Sequence, residues 1–174
     1  MVTIRQEQQS DYKKTEEVVQ QAFLKEEFSD KTEHELVSRI RKCDAFIPEL
    51  SIVAVNEEIV GHILLSKIKI KQGATSVESL ALAPVSVARG YQKKGIGGKL
   101  IGAALEKAKE LGYGSVVVLG HPEYYPKFGF KKASEGNIKE PFEVPDEVFM
   151  VMELSENALQ GVEGIVQYSS AFAE

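Results

Sequence analysis

A glycine-rich turn that carries three lysines, residues 92–99 (QKKGIGGK), is the stretch of this sequence best suited to chemistry. Its glycines allow a tight turn and a close approach of the backbone to a ligand, because no Cβ is in the way. The apolar spacing from Ile96 onwards predicts a helix whose unpaired N–H groups and positive dipole end would face the turn. No Asp or Glu occurs from Ser79 to Leu105, although the whole chain is acidic. We therefore expect the turn to bind an anion such as a phosphate.

Two common phosphate-binding motifs do not fit this turn. Gly90 and Gly95 have the spacing of the two P-loop glycines, but Ile96 and Gly97 stand where that motif needs Lys and Ser or Thr. An NTPase is therefore disfavoured. The dinucleotide pattern GxGxxG also fails, because Leu100 occupies the position of its third glycine. A glycine-rich turn that binds no ligand remains an alternative on these residues alone.

Length and composition are those of an ordinary globular chain. The 174 residues suggest one domain, with 43% hydrophobic residues, 27% charged residues and a formal net charge of −5. This balance does not favour a nucleic acid or an anionic membrane as a partner. Cys43 is the one cysteine, so an internal disulfide cannot form and a reducing compartment is expected. Without a signal-peptide pattern or an apolar stretch of membrane-spanning length, we expect a cytoplasmic protein.

Hydrophobic spacing predicts strands and helices in which the glycine turn joins a strand to a helix. The predicted strands are Thr3–Arg5, Leu50–Val55, Ile59–Ile70, Ser76–Val87, Ser115–Leu119 and Val148–Leu154. Helices are predicted over residues 12–24, after Thr32, over residues 96–111 and in an aromatic segment near residue 125. Thr32 and Glu35 form a capping-box pattern. Pro84 removes a hydrogen-bond donor from the fourth strand, which predicts a bulge or a splayed edge there.

Two motifs and the order of the elements resemble one enzyme family. Gln92–Gly98 resembles the Q/R-x-x-G-x-G/A pyrophosphate loop of the GNAT superfamily, the acetyl-CoA-dependent N-acetyltransferases. Tyr125–Phe130 (YPKFGF) resembles the Y-x-K-x-GF element of the same superfamily. The segments LGHPEYYPKFGF and VFMVMEL are similar to those of small bacterial N-acetyltransferases of undefined substrate. The resemblance covers nearly the whole chain.

The resemblance implies an α/β (α+β) fold. A mixed, mostly antiparallel central sheet of about six to seven strands would be flanked by helices, with a splay or bulge in strand four. Residues 1–154 would form a single N-acetyltransferase domain. Residues 155–174, which are weakly patterned, are expected to be a C-terminal extension that is either docked or frayed.

The function that the resemblance implies is transfer of acetyl from acetyl-CoA, the cosubstrate, to a primary amine by direct attack. The acceptor would be an unidentified small molecule or peptide, no metal is expected, and the chain would be a monomer or homodimer. The implied cofactor-binding residues are Val85, Ser86, Val87, Gln92, Lys93, Lys94, Gly95, Ile96, Gly97, Gly98 and Lys99. The alternative is a catalytically inactive module of the same fold that senses CoA or acyl-CoA.

Acetyl transfer requires a neutral amine, a donor for the oxyanion and a proton for the departing thiolate. The resemblance implies Tyr125 as the proton donor and backbone N–H groups of residues 85–87, beside Pro84, as the oxyanion donors. The general base is left open between Glu78 and His121. Glu78 is the acidic residue of the fourth strand, but the usual base position of the family falls on Ala81.

The acceptor site is less well defined by the sequence. Phe23, Glu26, Glu27 and Phe28 are candidates for an acidic and aromatic wall between the first two helices. His62 is interpreted as a wall of the acceptor cleft or as a core residue. Cys43 is disfavoured as a nucleophile, because nothing near it in sequence would lower the pKa of its thiol.

Overall fold

A mixed sheet of nine strands forms the centre of the part of the chain that the computed structural model describes, residues 1–26 and 29–173. The strands are β1 Thr3–Gln6, β2 Ser51–Asn56, β3 Glu58–Gln72, β4 Thr75–Val87, β5 Ser115–Leu119, β6 Lys131–Lys132, β7 Ile138–Lys139, β8 Phe149–Glu153 and β9 Gly164–Gln167. The predicted mixed sheet of six to seven strands is confirmed, and the strands beyond that number are only two to four residues long.

The strands follow the order β1-β2-β3-β4-β5-β8-β6, and β9 pairs with both β3 and β7. Among the described residues, the pairs β4–β5 and β7–β9 are parallel and the other pairs are antiparallel. Residues 115–118 of β5 lie buried between β4 and β8, as the sequence predicts, whereas Leu119 at the end of the strand is 46% exposed.

Helices cover both faces of the sheet. They are α1 Tyr12–Phe23, α2 Glu33–Arg41 and α3 Ile96–Glu110. The apolar side of α3, which includes Leu100 and Ala104, packs with Ile63 of β3 in one core cluster. Leu64 points to the opposite face and packs with residues of α1 and α2, because successive side chains of a strand alternate between faces.

The fourth strand is distorted where Pro84 predicts it. The register between β3 and β4 shifts near Ile63–Leu65, opposite the segment that contains Pro84. The parallel pairing of β4 with β5 is limited to Leu80–Val116 and Ala81–Val117. Beyond Ala81 the two strands therefore separate, and the predicted bulge and splay are confirmed.

The predicted capping box at the start of α2 is wrong. The side chain of Thr32 makes no capping bond to the helix. Its backbone N–H and its hydroxyl instead donate to the Asp30 carboxylate, at 2.9 and 2.7 Å. A carboxylate two residues earlier offers a local turn that competes with the helix for the threonine hydroxyl.

The C-terminal segment adds a strand to the edge of the sheet. Residues 165–167 of β9 pair with Lys69–Lys71 of β3. Gly164 begins this strand with a φ of +133°, and a Cβ added there would lie 2.1 Å from the carbonyl oxygen of Lys71. A glycine is therefore required where the segment meets β3. The domain boundary at residue 154 stays a prediction.

Four polar side chains form a buried network between β1, β2, β3 and α2. Arg41 pairs with Glu7 at 2.6 Å, and their side chains are 5% and 0% exposed. The Ser51 hydroxyl donates to the Glu7 carboxylate at 2.7 Å and lies 2.9 Å from Nε2 of the fully buried His62. Because the one hydroxyl proton of Ser51 goes to Glu7, Nε2 of His62 must be the donor to Ser51. His62 is therefore a buried core residue whose Nδ1 has no partner among the described residues.

We expect stability to fall at acidic pH because of His62. Burial, with the nearby charge of Arg41, lowers the pKa of His62 from 6.5 to about 3. Below about pH 6.5 the unfolded chain binds a proton at this histidine that the folded protein does not bind. The free energy of unfolding should therefore fall by up to about 1.4 kcal/mol per pH unit until the pH approaches 3.

Urea unfolding between pH 4 and pH 7 measures this dependence. His62→Gln should reduce the slope by the contribution of one histidine, whatever its effect on stability at pH 7. His34→Gln, at a partly exposed position of α2, is the control. An unchanged slope in His62→Gln would contradict the assignment.

Candidate active site

The turn before α3 exposes a set of backbone donors. Lys93 and Gly95 have left-handed backbones, with φ of +64° and +83°. Gly95 is the N-cap of α3, no side chain caps the helix there, and the N–H of Lys99 donates to the Gly95 carbonyl at 3.1 Å. The N–H groups of residues 96–98 precede this first helical bond, so they have no acceptor within the helix. They are available to an anion at the helix terminus.

These donors open into a cleft of about 410 Å³ at the end of β4. Its lining residues are Val87, Tyr91, Gln92, Lys93, Gly95, Ile96, Gly97, Gly98, Tyr124 and Lys127. The side-chain amide of Gln92 donates to the carbonyl of Val87 at 3.0 Å and so ties the turn to the strand end. The cleft thus brings together most of the residues that the sequence analysis assigns to cofactor binding.

The other predicted cofactor residues lie around this cleft without lining it. Lys94 and Lys99 are exposed, and the ammonium of Lys94 lies 5.7 Å from the centroid of the Tyr91 ring. Val85 is half-buried against the core on the α3 face. Ser86 is buried, and its hydroxyl has no partner among the described residues.

Three residues line the cleft that the sequence analysis did not assign to cofactor binding: Tyr91, Tyr124 and Lys127. A Cβ added at Gly97 would lie 3.5 Å from the Tyr124 hydroxyl. The Lys127 ammonium lies 4.1 Å from the centroid of the Tyr124 ring. Tyr124 and Lys127 are three residues apart, a spacing that places two side chains together on one helical turn, and this spacing could have predicted their contact. Lys127 is also the lysine of the Y-x-K-x-GF element.

Tyr125 is buried beside the cleft, at the start of the short helix Tyr125–Phe128. Its ring packs edge-on against Tyr124 and Phe130, with centroids 5.2 and 5.7 Å away. Burial, together with the neighbouring Tyr124, raises the pKa of Tyr125 to about 12. Its hydroxyl therefore carries a proton at neutral pH. Tyr125 does not line the glycine-turn cleft itself.

The position of the Tyr125 ring requires a glycine at residue 120, immediately after β5. A Cβ added at Gly120 would lie 2.5 Å from Cε2 of Tyr125, so Gly120→Ala must move the ring. We expect the free energy of unfolding to fall by about 1–3 kcal/mol. Gly102→Ala is the control, because nothing lies within 4 Å of a Cβ added at that position of α3. It should be neutral or stabilising. Urea unfolding of both variants tests this, and equal stability of Gly120→Ala and the parent would contradict it.

The two candidate bases lie at different places. His121 is exposed in the turn that follows β5, and its carbonyl accepts the N–H groups of Tyr124 and Tyr125 at 3.2 and 3.4 Å. Glu78 is exposed near the other end of β4, opposite Lys69 of β3. At about 3.3 Å per residue, roughly 30 Å of strand separates Glu78 from Val87. The structure therefore brings His121, but not Glu78, to the end of the sheet that carries the glycine turn.

The remaining candidates divide between core and surface. His62 is the core residue of the buried network, and the half-buried thiol of Cys43 donates to the carbonyl of Ile40 at 3.3 Å. Phe23 packs in the cluster between α1 and α2, and Glu26 is exposed after α1. The other two candidates for the acceptor wall, Glu27 and Phe28, lie outside the described residues.

Two further observations concern metals and membranes. Within residues 1–26 and 29–173, no group of three or more His, Cys, Asp or Glu side chains could hold a metal ion. In the same ranges, the helices are too short or too polar to cross a membrane.

Comparison with known proteins gives one consistent result. The model of the acetyltransferase (GNAT) family matches residues 3–130. The uncharacterized N-acetyltransferase YhbS of Escherichia coli K12 is 30% identical over 153 residues, which span 87% of this chain and 89% of the relative. The uncharacterized N-acetyltransferase YjhQ of the same strain is 35% identical over 122 residues, which span 69% of this chain and 67% of the relative.

Two solved structures match the full length of the fold. The crystal structure of Escherichia coli YhbS in complex with CoA has a TM-score of 0.88 and 25% identity, and the match covers 99% of this chain and 92% of that one. A GNAT family acetyltransferase of Brucella melitensis in complex with acetyl-CoA has a TM-score of 0.82 and 30% identity, with 99% and 98% covered.

Proposed function

Because the chain belongs to the acetyltransferase (GNAT) family, we propose that it transfers the acetyl group of acetyl-CoA to a primary amine by direct attack on the thioester. One observation carries the proposal: the unpaired N–H groups at the start of α3 open into a cleft walled by Lys93, Tyr124 and Lys127. The similar Escherichia coli and Brucella melitensis structures contain CoA and acetyl-CoA, which supports acetyl-CoA as the cosubstrate here.

In this proposal the pyrophosphate of CoA lies on the turn of residues 92–99. The N–H groups of residues 96–98 donate to its oxygens, and the dipole of α3 favours its negative charge. Lys93, Lys94 and Lys99 add positive charge around the turn. Backbone N–H groups at the helix terminus supply most of the binding free energy, because binding through them does not require long side chains to become ordered.

The effect of Lys94 on CoA binding should accordingly be small. Lys94→Ala removes one exposed charge near the turn and leaves every backbone donor in place. We expect CoA affinity to fall by about 1 kcal/mol, roughly fivefold. Calorimetry with CoA at low and moderate salt measures this. The difference should shrink as salt screens the charge, and a complete loss of binding would contradict the role of the backbone.

The distorted part of β4 is proposed to hold the pantetheine and the thioester. Because β4 and β5 separate beyond Ala81, backbone groups of Val85–Val87 do not pair with β5. The pantetheine amides can bond to this strand edge as an additional partner. A free N–H near the bulge would then stabilise the oxyanion as it develops.

The proton transfers are assigned to two residues. Tyr125, protonated at neutral pH, gives its proton to the departing thiolate. An alkyl ammonium has a pKa near 10.4 and attacks only after it loses a proton. Of the two candidate bases we retain His121, which precedes Tyr125 in the same turn, because Glu78 lies too far along β4.

A thiol-release assay with acetyl-CoA and a panel of primary amines tests the function. At least one amine should accelerate release of free CoA, and mass spectrometry should detect the acetylated amine. A parallel CoA titration reports binding without catalysis.

An inactive module that senses CoA or acyl-CoA is the second candidate. The observation in its favour is that Glu78, the acidic residue of β4, lies roughly 30 Å along the strand from Val87, too far to serve as the base. CoA binding without thiol release for any amine would support this candidate over the enzyme.

A further inference from the structure

Two buried polar side chains lie next to one another on neighbouring strands, and each has an atom that lacks a hydrogen-bond partner. His62 of β3 pairs with Ser86 of β4 in the register of the two strands. Their side chains therefore lie on the same face of the sheet, with Cβ atoms roughly 5 Å apart. His62 is 0% exposed and Ser86 is 5% exposed. Nδ1 of His62 and Oγ of Ser86 have no partner among the described residues, so they do not bond to each other.

The helix that covers this face of the sheet contributes a third atom of the same kind. Thr15, Val18 and Val19 belong to the buried side of α1. The two valines pack with residues of β3 on either side of His62, and Thr15 lies one helical turn before them. The buried hydroxyl of Thr15 also has no partner among the described residues. α1 therefore places a third unpartnered polar group over this part of the sheet.

The chemistry of these three groups suits one shared water molecule. Burial and the nearby charge of Arg41 lower the pKa of His62 to about 3, so its ring is neutral at pH 7. Because Nε2 donates to Ser51, Nδ1 must be an acceptor, whereas a hydroxyl can donate or accept. None of the three groups is charged, which favours a neutral ligand over an ion. A buried water typically makes about three hydrogen bonds to polar groups that lack other partners, and it can bridge groups too far apart for a direct bond.

Ser86 connects these groups to the part of β4 that is proposed to hold the thioester. It lies between Val85 and Val87, which pack with the core cluster on the α3 face. β5 pairs with β4 before this segment rather than along it, so the segment is fixed by β3 and by its own side chains. A water that joins Ser86 to His62 of β3 and Thr15 of α1 would restrict rotation of the segment about its axis. The direction of its backbone N–H groups would then be fixed.

We propose that one water molecule is bound between His62, Ser86 and Thr15. Through this water, Ser86 acts as a positioning residue for the backbone of Val85–Val87, and its side chain does not touch the reacting atoms. The positioning role rests on the proposed acetyltransferase function. The water site itself depends only on the three side chains that bind it.

A crystal structure of the CoA-free protein, at a resolution that shows ordered water, tests the site. The parent should contain a water within hydrogen-bond distance of both Nδ1 of His62 and Oγ of Ser86. The same water should be lost in Ser86→Ala, which removes one of its partners. The inference is overturned if the parent has no water there, if the Ser86 hydroxyl bonds directly to Nδ1, or if Ser86→Ala leaves the water unchanged.

Ser66→Ala is the matched control. Ser66 is another buried serine on this face of β3, and its hydroxyl also has no partner among the described residues. The residue opposite it on β4 is Ala81, so it has no polar neighbour across the strand with which to share a water. This variant should keep the water at His62 and the kinetics of the parent.

Kinetics with an accepted amine test the positioning role. Ser86→Ala should lower kcat roughly fivefold, as for the loss of one hydrogen bond. KM for acetyl-CoA should change little, because every backbone group that binds the cofactor remains. Thr15→Val keeps the shape of the side chain and removes another partner of the same water, so its loss should be similar. The double variant should then lose little more than either single variant. Additive losses, or equal kcat for Ser86→Ala and the parent, overturn the positioning role.

The two measurements separate this inference from the proposed function. If the parent acetylates no amine but contains the water, the acetyltransferase function and the positioning role fail and the water site stands. If the parent is active but has no water between His62 and Ser86, this inference fails and the function stands.

Discussion

Tyr125→Phe is expected to lower the rate of acetyl transfer by about 10²–10⁴-fold, the usual range for loss of a general acid. The hydroxyl is protonated at neutral pH, because burial raises the pKa of Tyr125 to about 12. Phenylalanine keeps the ring that packs against Tyr124 and Phe130, so folding and CoA affinity should change little. Steady-state kinetics with an accepted amine, together with a CoA titration, measures both quantities.

Tyr124→Phe is the matched control for this prediction. It removes a neighbouring hydroxyl that faces Gly97 in the glycine-turn cleft, and it should lower turnover much less. Product release could limit the steady-state rate and hide the loss of the acid. A single-turnover measurement isolates the transfer step, and equal single-turnover rates for Tyr125→Phe and the parent would exclude Tyr125 as the acid.

Gly97→Val should abolish CoA binding. A Cβ added at Gly97 would lie 3.5 Å from the Tyr124 hydroxyl and 3.9 Å from Cγ2 of Val87. These are ordinary contacts, so the fold has room for one carbon. The two additional methyl groups of valine would occupy the space between α3, Tyr124 and Val87, where the phosphates must approach the backbone donors. Calorimetry with CoA measures the loss.

Gly102→Val places the same substitution at an exposed position of α3 where a Cβ meets nothing within 4 Å. This control should bind CoA like the parent, since valine is tolerated in a helix at least as well as glycine. If Gly97→Val retained the affinity of the parent, the turn would not be the phosphate site.

Much of the framework could be predicted from the sequence because it depends on local patterns. The repeat of apolar residues along α3 and the apolar run of β5 each determine an element and its buried side. Pro84 predicts the distortion of β4 since it lacks an N–H group. Gly95 takes a left-handed backbone at the N-cap, which is a conformation that glycine adopts without a steric penalty.

Other features required the tertiary structure because they depend on residues far apart in the chain. Thr32 bonds to the Asp30 carboxylate, so the capping box predicted from Thr32 and Glu35 does not form. A capping rule that considers only the residues of the helix does not include Asp30. The strand Gly164–Gln167 has too few residues to show a pattern, and it exists because β3 offers an edge to pair with. Glu78 looked suitable as a base by residue type, and only the strand register shows how far it lies from the glycine turn.

By itself, the sequence determined the glycine-rich turn, the order of the longer strands and helices, and the resemblance that identifies the family. These follow from residue types at short spacing, where backbone geometry leaves few alternatives. Only the tertiary structure decided which polar side chains are buried and which groups form hydrogen bonds with them. His62 became a core residue with a lowered pKa because the fold buries it completely and places the charge of Arg41 nearby. Glu140 became a buried carboxylate because Tyr168, 28 residues later, folds back onto it, and its second oxygen has no partner among the described residues.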